Sequence, residues 1–396
     1  MNKPVFIALT SYQLLISDVY AKYIYKKFDI KPLIIYMQNN TKLDMKCEEY
    51  DYLQLPNLNT TTCSRIWQRL YYSGRLFKLS PIFKNICNIN NSILFVFNDY
   101  YPVSHNLIKI MYKNDNAICL IDEGIGTYAS YEKKTFNAKD LIRLFVTYML
   151  GAPMVYGAIG ESKEISYAIV SNPEQYKKKE CSKKQIILKQ DLSKIFSHSD
   201  DFVSKLEQKK QDLYRGDVLF LGQPLIEGDE YSELERIFID KIIKELIAAG
   251  KKIVIKPHPR ENGHKYDYLR EKYKNVFLID GVYQDIPVEC LVSAMQIREV
   301  YAFNSSAAIN IANMYRKIKV VLCYKFKEAI EICKKRESNN MRYDNNIFTS
   351  INNNLYIPES ILEAISIPFK CNINSVGMGD EKLLFPEIDL VIKSKR

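Results

Sequence analysis

The sequence predicts an α/β protein built as two Rossmann-like halves with a cleft between them. Short runs of apolar β-formers alternate with helical patterns along most of the chain, which is the signature of parallel sheets covered by helices on both faces. The alternation occurs twice, interrupted by a basic, polar stretch from 177 to 210. At 396 residues the chain is long for one core and suits two domains. The expected division is a first domain over 1–213, a second over 214–345, and a C-terminal extension over 346–396 that packs on the core or is mobile.

The elements follow in order. Val5–Leu9 is a first strand, and Thr10-Ser11 offers caps for a helix to about Tyr25, because a hydroxyl at that position accepts from a free N–H of the first turn. Pro32–Tyr36 supplies a second strand, 64–79 a helix with Trp67, and Ile93–Phe97 a third strand. A helix near His105–Tyr112 then leads to the buried-strand pattern Ala117–Ile121. A weak strand is expected at Gln185–Leu188. The second half restarts at Asp217–Leu221 and continues with an amphipathic helix over about 231–249 and a strand at Lys252–Ile255. Next come a strand at Asn275–Ile279, a helix around Ile286–Leu291, a strand at Glu299–Phe303, a helix opening at Asn304, a strand at Lys317–Leu322 and a helix to about Lys335. The Asn-rich stretch 339–354 is expected to be mobile, and no internal repeat is visible.

Composition narrows the function classes. A net charge of +10 favours an acidic partner such as an anionic membrane face or a phosphorylated small molecule. The lysines are scattered and form no nucleic-acid motif, which argues against nucleic acid. The nine cysteines are an odd count without a Cys-x-x-Cys pair, and several, such as Cys119 and Cys323, fall inside apolar strands and read as small buried hydrophobes in a reducing compartment. Met1-Asn2-Lys3-Pro4 leads into a strand and not into a signal-peptide pattern. The longest uncharged run, 144–160, is interrupted by Gly151, Pro153 and Gly157 and does not read as a membrane span. A cytoplasmic protein is expected, with peripheral contact at the inner face of the cytoplasmic membrane through its basic charge.

Polar side chains gather where predicted strands end, which is where open α/β sheets bind ligands. Lys256-Pro257-His258-Pro259-Arg260 follows a strand directly, and only His258 of the four histidines stands at such a place. Prolines on both sides restrict its backbone; the alternative is a rigid turn with an exposed ring. Asp122-Glu123-Gly124 puts two carboxylates at a strand end, and Asp122, nearer the strand, is the expected general base. A solvated acidic turn is the plainer possibility. Asn304-Ser305-Ser306 opens a helix of small residues, a phosphate-binding arrangement that is also compatible with N-capping by Ser305. Glu289 begins a helix after Pro287, suited to ribose hydroxyls or merely to the helix dipole. Lys256 and His258 together would neutralise a phosphate. No Asp-x-Asp stands at a strand end, which weakens any scheme built on a metal and a diphosphate.

Taken in order, Asp122-Glu123-Gly124, Lys256-Pro257-His258-Pro259 and Ser305-Ser306 resemble the motifs of the bacterial sialyltransferases that decorate lipooligosaccharide and of the capsule polysialyltransferases. The opening strand with Thr10–Leu15, the segment Leu219–Leu225 that contains Gly222 and Gln223, and Ile286–Glu289 are similar to the lipooligosaccharide branch. The likeness spans about residues 5–325. It implies a GT-B fold and inverting, metal-independent transfer of sialic acid from CMP-sialic acid, with no cofactor, to an oligosaccharide or glycolipid acceptor. The first domain would then bind acceptor and the second CMP. By the same resemblance Asp122 is the base and His258 the group acting on the CMP phosphate. Ser305 and Ser306 are phosphate ligands, Glu289 binds ribose, and Lys256, Gly222 and Gln223 belong to the donor site. The stretch 177–210 and the tail after 339 match nothing in that family. Two other readings remain: a CDP-glycerol or CDP-ribitol phosphotransferase of cell-wall polymer synthesis, for which His105 is the sole candidate second histidine, and a non-catalytic nucleotide-binding protein.

Overall fold

The computed structural model describes residues 3–37, 47–55, 81–128, 130–131, 142, 145, 158–198, 215–223, 232–258, 261, 264–284, 286–292, 295–335, 341–342, 354–368 and 385–395. The expected helix at 64–79 and most of the Asn-rich stretch fall outside them. Contacts divide the chain into a first unit of 1–191, 341–343 and 380–396 and a second of 192–340 and 344–379.

In the first unit the strands are β1 (Val5–Ala8), β2 (Leu33–Met37), β3 (Asp51–Leu55), β4 (Ile93–Val96), β5 (Ala117–Ile121), β6 (Ser130–Tyr131), β7 (Ile165–Val170) and β8 (Ile186–Lys189). Seven of them form one sheet in the order β3-β2-β1-β4-β5-β7-β8, paired parallel throughout. The sheet is doubly wound, and its order reverses between β1 and β4. β1, β4 and β5 are buried along their whole length, as strands covered on both faces must be. Phe6 and Phe95 stack at 4.4 Å across β1 and β4. Helix α1 (Ser11–Phe28) begins as the sequence suggests: Thr10 is the N-cap, and its hydroxyl accepts from the Gln13 N–H. Helix α2 (Pro102–Lys113) packs Val103, Leu107, Ile108 and Met111 into the core formed by Leu94, Val96, Ile118 and Leu120.

The second unit repeats the plan with β9 (Val218–Leu221), β10 (Ile253–Lys256), β11 (Val276–Leu278), β12 (Glu299–Ala302) and β13 (Lys319–Leu322), completed by β15 (Leu355–Tyr356). β14 (Met341–Arg342) instead pairs antiparallel with β6 in the first unit. The order β11-β10-β9-β12-β13-β15 reverses between β9 and β12. Helices α3 (Ser232–Ala248), α4 (Ser306–Met314) and α5 (Lys327–Lys335) accompany the sheet. Phe238, Ile242 and Leu246 of α3 and Ala329 and Ile332 of α5 join Val218, Ile253 and Ile255 in a single core.

Two boundaries differ from the expectation. The first unit ends at 191 instead of 213, because the short helix Leu192–Ser197 packs against α4. The C-terminal stretch does not form one extension either. Ile361 and Ala364 belong to the second core, whereas helix α6 (Pro386–Lys393) docks on α1 of the first unit. There the buried Phe385 meets Tyr20 and Tyr23 edge to face, each at 5.1 Å, and Tyr20 Oη donates to Glu387 at 3.0 Å. Among the described residues no helix is long and apolar enough to cross a membrane.

Candidate functional site

The two adjacent carboxylates after β5 have different surroundings. Asp122 is 2% exposed, and its side chain is committed to holding loops together. Its Oδ1 accepts from the Gly124 N–H at 2.8 Å, while Oδ2 accepts from the Ser171 N–H at 3.0 Å and from the Tyr128 hydroxyl. Tyr128 Oη in turn accepts from the Asn172 N–H at 2.9 Å, so Asp122 ties its own turn to the loop after β7. Gly124 lies at φ 116, a backbone conformation that glycine adopts without strain.

The Glu123 side chain is held by side-chain amides alone. Its Oε2 accepts from Gln13 Nε2 at 2.8 Å and its Oε1 from Asn98 Nδ2 at 3.5 Å. Gln13 is itself fixed, its Oε1 accepting from the Leu9 N–H at 2.7 Å. Gln13 follows β1 and Asn98 follows β4, the neighbouring strands between which the sheet order reverses, and ligands bind in that crevice of doubly wound sheets. Burial raises the Glu123 pKa to about 7; the Asn98 and Gln13 donors oppose the rise, and the charges of Asp122 and Asp99 add to it. A carboxyl near neutrality can take a proton at pH 7 and release it again. Three donors, two of them backbone N–H groups, engage Asp122, the expected base, whereas Glu123 beside it accepts from two side-chain amides, one of them at 3.5 Å.

In the second unit the residues named from the sequence gather at the carboxyl ends of β9, β10 and β12. Gln223 binds the backbone of Asn304 twice: its Nε2 donates to the Asn304 carbonyl and its Oε1 accepts from the Asn304 N–H, both at 2.6 Å. This side chain joins the two loops at the second point of reversal and sets the entry to α4. Ser305 is the N-cap residue by backbone conformation but makes no side-chain cap hydrogen bond. Its hydroxyl is therefore not spent on the helix, as capping would have required, and the first-turn N–H groups face the same terminus. Lys256 ends β10, is 6% exposed and donates from Nζ to the Gln284 carbonyl at 2.5 Å. His258 is partly buried.

Glu289 is 2% exposed, and its Oε1 accepts from Asn310 Nδ2 at 2.9 Å. Burial raises its pKa, opposed by the Asn310 hydrogen bond and the Lys256 charge. Cationic side chains with a helix N-terminus complement an anion, and a buried carboxylate complements hydroxyl donors. Gln13, Asn98 and Asn310 carry no signal in the sequence beyond an amide at a strand end or on a helix face; their partners lie 110, 25 and 21 residues away.

A sequence model described as Alpha-2,8-polysialyltransferase (POLYST) matches residues 5–325. No curated protein matches the sequence significantly. Among solved structures, the GT-B domain of a sialyltransferase from Photobacterium damselae is similar with a TM-score of 0.52 and 14% identity, covering 85% of this chain and 97% of that one. The UDP-GlcNAc 2-epimerase from Neisseria meningitidis is similar with a TM-score of 0.52 and 13% identity, covering 84% of this chain and 85% of that one. At such identities the likeness is one of fold: two parallel-sheet Rossmann-like domains, the GT-B architecture expected from the resemblance.

Proposed function

The chain belongs to the alpha-2,8-polysialyltransferase family, and from that premise we propose that it transfers sialic acid from CMP-sialic acid, with inversion and without a metal, to a terminal sugar of a bacterial lipooligosaccharide, O-antigen or capsular polysaccharide. Galactose is the first acceptor to try. The observation that carries the reading is the Glu123 carboxyl held by Gln13, in the helix after β1, and by Asn98, in the loop after β4, beside the reversal of the first sheet.

In this scheme Glu123 takes the proton of an acceptor hydroxyl. The oxygen bonds to the anomeric carbon of sialic acid while the bond from that carbon to the phosphate oxygen breaks, and CMP departs. Asp122 shapes the turn that presents Glu123. His258 protonates or hydrogen-bonds the leaving phosphate, and Lys256, Ser305, Ser306 and the N-terminus of α4 take up its charge. Glu289 accepts from ribose hydroxyls, and Gly222 and Gln223 shape the donor loops. Stabilising a departing phosphate and deprotonating the incoming hydroxyl are the two tasks this reaction sets. The net charge of +10 supports an anionic donor and peripheral contact with an acidic membrane surface.

The test is incubation of the purified protein with CMP-sialic acid and galactose-terminated or already sialylated oligosaccharides, following CMP release and product mass. Transfer of one residue, or a ladder of several, supports the proposal. CMP should also raise the melting temperature where UDP, GDP and CDP do not, since a ligand that binds only the folded state stabilises it. Absence of both CMP release and CMP-induced stabilisation across acceptors and pH rejects it.

A further inference from the structure

The structure assigns Glu261 the task of positioning His258, and explains Gly222 as the residue that leaves room for it. The assignment deepens the reading in which His258 acts on the leaving phosphate. Pro257 has no N–H, so after Lys256 the first donor of this loop is the backbone of His258, which gives its hydrogen to Glu261 Oε2 at 2.7 Å. The Glu261 N–H returns a bond to the His258 carbonyl at 2.8 Å. The two residues thus close a turn on each other, as a capping box does at a helix start.

The carboxylate that receives the His258 N–H is itself fixed. Its side chain is 2% exposed, and the Tyr266 hydroxyl reaches its two oxygens at 3.0 and 3.1 Å. Lys265 pairs with it and also with Glu235, whose side chain is 3% exposed. Burial, with the Glu261 charge next in importance, raises the Tyr266 pKa, so the phenol keeps its proton and remains a donor. A charge-assisted bond to a backbone N–H is shorter and roughly twice as strong as a neutral one, and here it fixes the residue whose ring must meet the ligand. From the other side, the Gly222 N–H donates to the Lys256 carbonyl at 2.9 Å. A Cβ at Gly222 would lie 2.5 Å from both Glu261 Oε2 and Tyr266 Oη, so any larger residue displaces the carboxylate. The glycine after β9 and the glutamate three residues beyond the histidine form one device.

The experiment uses full-length protein labelled with 13C in the imidazoles, whose four histidines give four ring signals, alongside steady-state kinetics of donor use. Glu261→Ala and Gly222→Ala should shift or broaden the His258 signal alone. They should lower kcat roughly tenfold with donor KM within about threefold, the pattern of an interaction lost at the reacting step. Glu261→Gln, whose amide oxygen still accepts from the His258 N–H, should retain both the signal and most of kcat. An unshifted His258 signal in Glu261→Ala, or a Glu261→Gln variant as damaged as Glu261→Ala, overturns the assignment; the second result would mark a role confined to the Lys265 ion pair. Should Glu261→Ala fail to fold, the His258 signal in Gly222→Ala decides. The spectrum needs no turnover, so it tests the positioning role even if CMP-sialic acid proves not to be the donor.

Discussion

Replacing Glu123 by glutamine keeps the size of the side chain and removes its titration, so the variant reports both the stability lost by holding a carboxyl near neutrality and the use made of it. Burial lifts the Glu123 pKa from 4.5 to about 7, a gap equivalent to about 3 kcal/mol of folding free energy. Below pH 4.5 folded and unfolded chains both hold the proton and nothing is lost. Between there and about pH 7 only the folded state holds it, so stability declines across that window, and above it the loss is complete. The glutamine amide gives back about 1 kcal/mol, because its NH2 must face one of the two donors, Gln13 or Asn98. The net expectation is a variant about 2 kcal/mol more stable than the parent at pH 8 and slightly less stable at pH 4, read by urea unfolding along a pH series. Transfer should fall by a factor of about 100 to 10,000, the usual worth of a general base. The parent's kcat/KM should decline about tenfold for each pH unit below 7, since only ionised Glu123 accepts a proton. A stability difference that does not change with pH, or a glutamine variant within threefold of the parent rate, refutes the reasoning.

Three further outcomes are expected. Asp122→Asn should lose roughly 1–3 kcal/mol in urea unfolding, because an amide cannot accept from Gly124, Ser171 and Tyr128 together. It should also move the acidic limb of the pH–rate profile to lower pH, since the Asp122 charge helps raise the Glu123 pKa, and it should keep far more turnover than Glu123→Gln; the reverse ranking returns the base to Asp122. Glu289→Gln should weaken CMP binding by about tenfold in calorimetry, the worth of one charged hydrogen bond, with a smaller change in kcat; unchanged affinity removes Glu289 from the ribose. Phe385→Ala, at a fully buried ring, should lower stability by about 3–5 kcal/mol and expose the C-terminal helix to protease, and resistance equal to the parent's would show that α6 is held by other contacts.

The parts of the fold that were legible in the sequence are those whose residues face apolar surroundings on both sides. β1, β4, β5, β9 and β10 read as unbroken apolar runs because both faces of each strand are buried, so no partner had to be known. β3 is not legible locally: Asp51–Leu55 alternates partly buried and exposed positions at the edge of the sheet and looks like polar loop until Leu33–Met37 is set beside it. β7 is no more legible, since Ser166 and Tyr167 interrupt its apolar residues and only its pairing with β5 and β8 makes the segment a strand. The docking of α6 on α1 depends on pairs such as Tyr20 and Glu387, 367 residues apart, and no local pattern announces a contact of that range.

The site divides along the same line, and the neighbouring carboxylates Asp122 and Glu123 show why. Residue type and position at a strand end located Asp122, Glu123, Lys256, His258, Ser305 and Ser306, because they depend only on where a strand stops, and Glu289 was located by its place at a helix start after Pro287. How firmly each of two adjacent acids is held depends on donors that arrive from elsewhere. Gly124, Tyr128 and Ser171 occupy Asp122, and two of these donors come from within six residues, so a local signal existed in the turn Gly124–Tyr128. Glu123 is held by Gln13 and Asn98, which only the doubly wound order of the sheet brings beside it. A base must be partly solvated by fixed donors yet not consumed by them, and that balance belongs to the tertiary arrangement. The same reasoning applies to His258: its place at a strand end was readable, whereas the carboxylate that holds its backbone is set by the buried pairings of Glu261 with Tyr266 and Lys265.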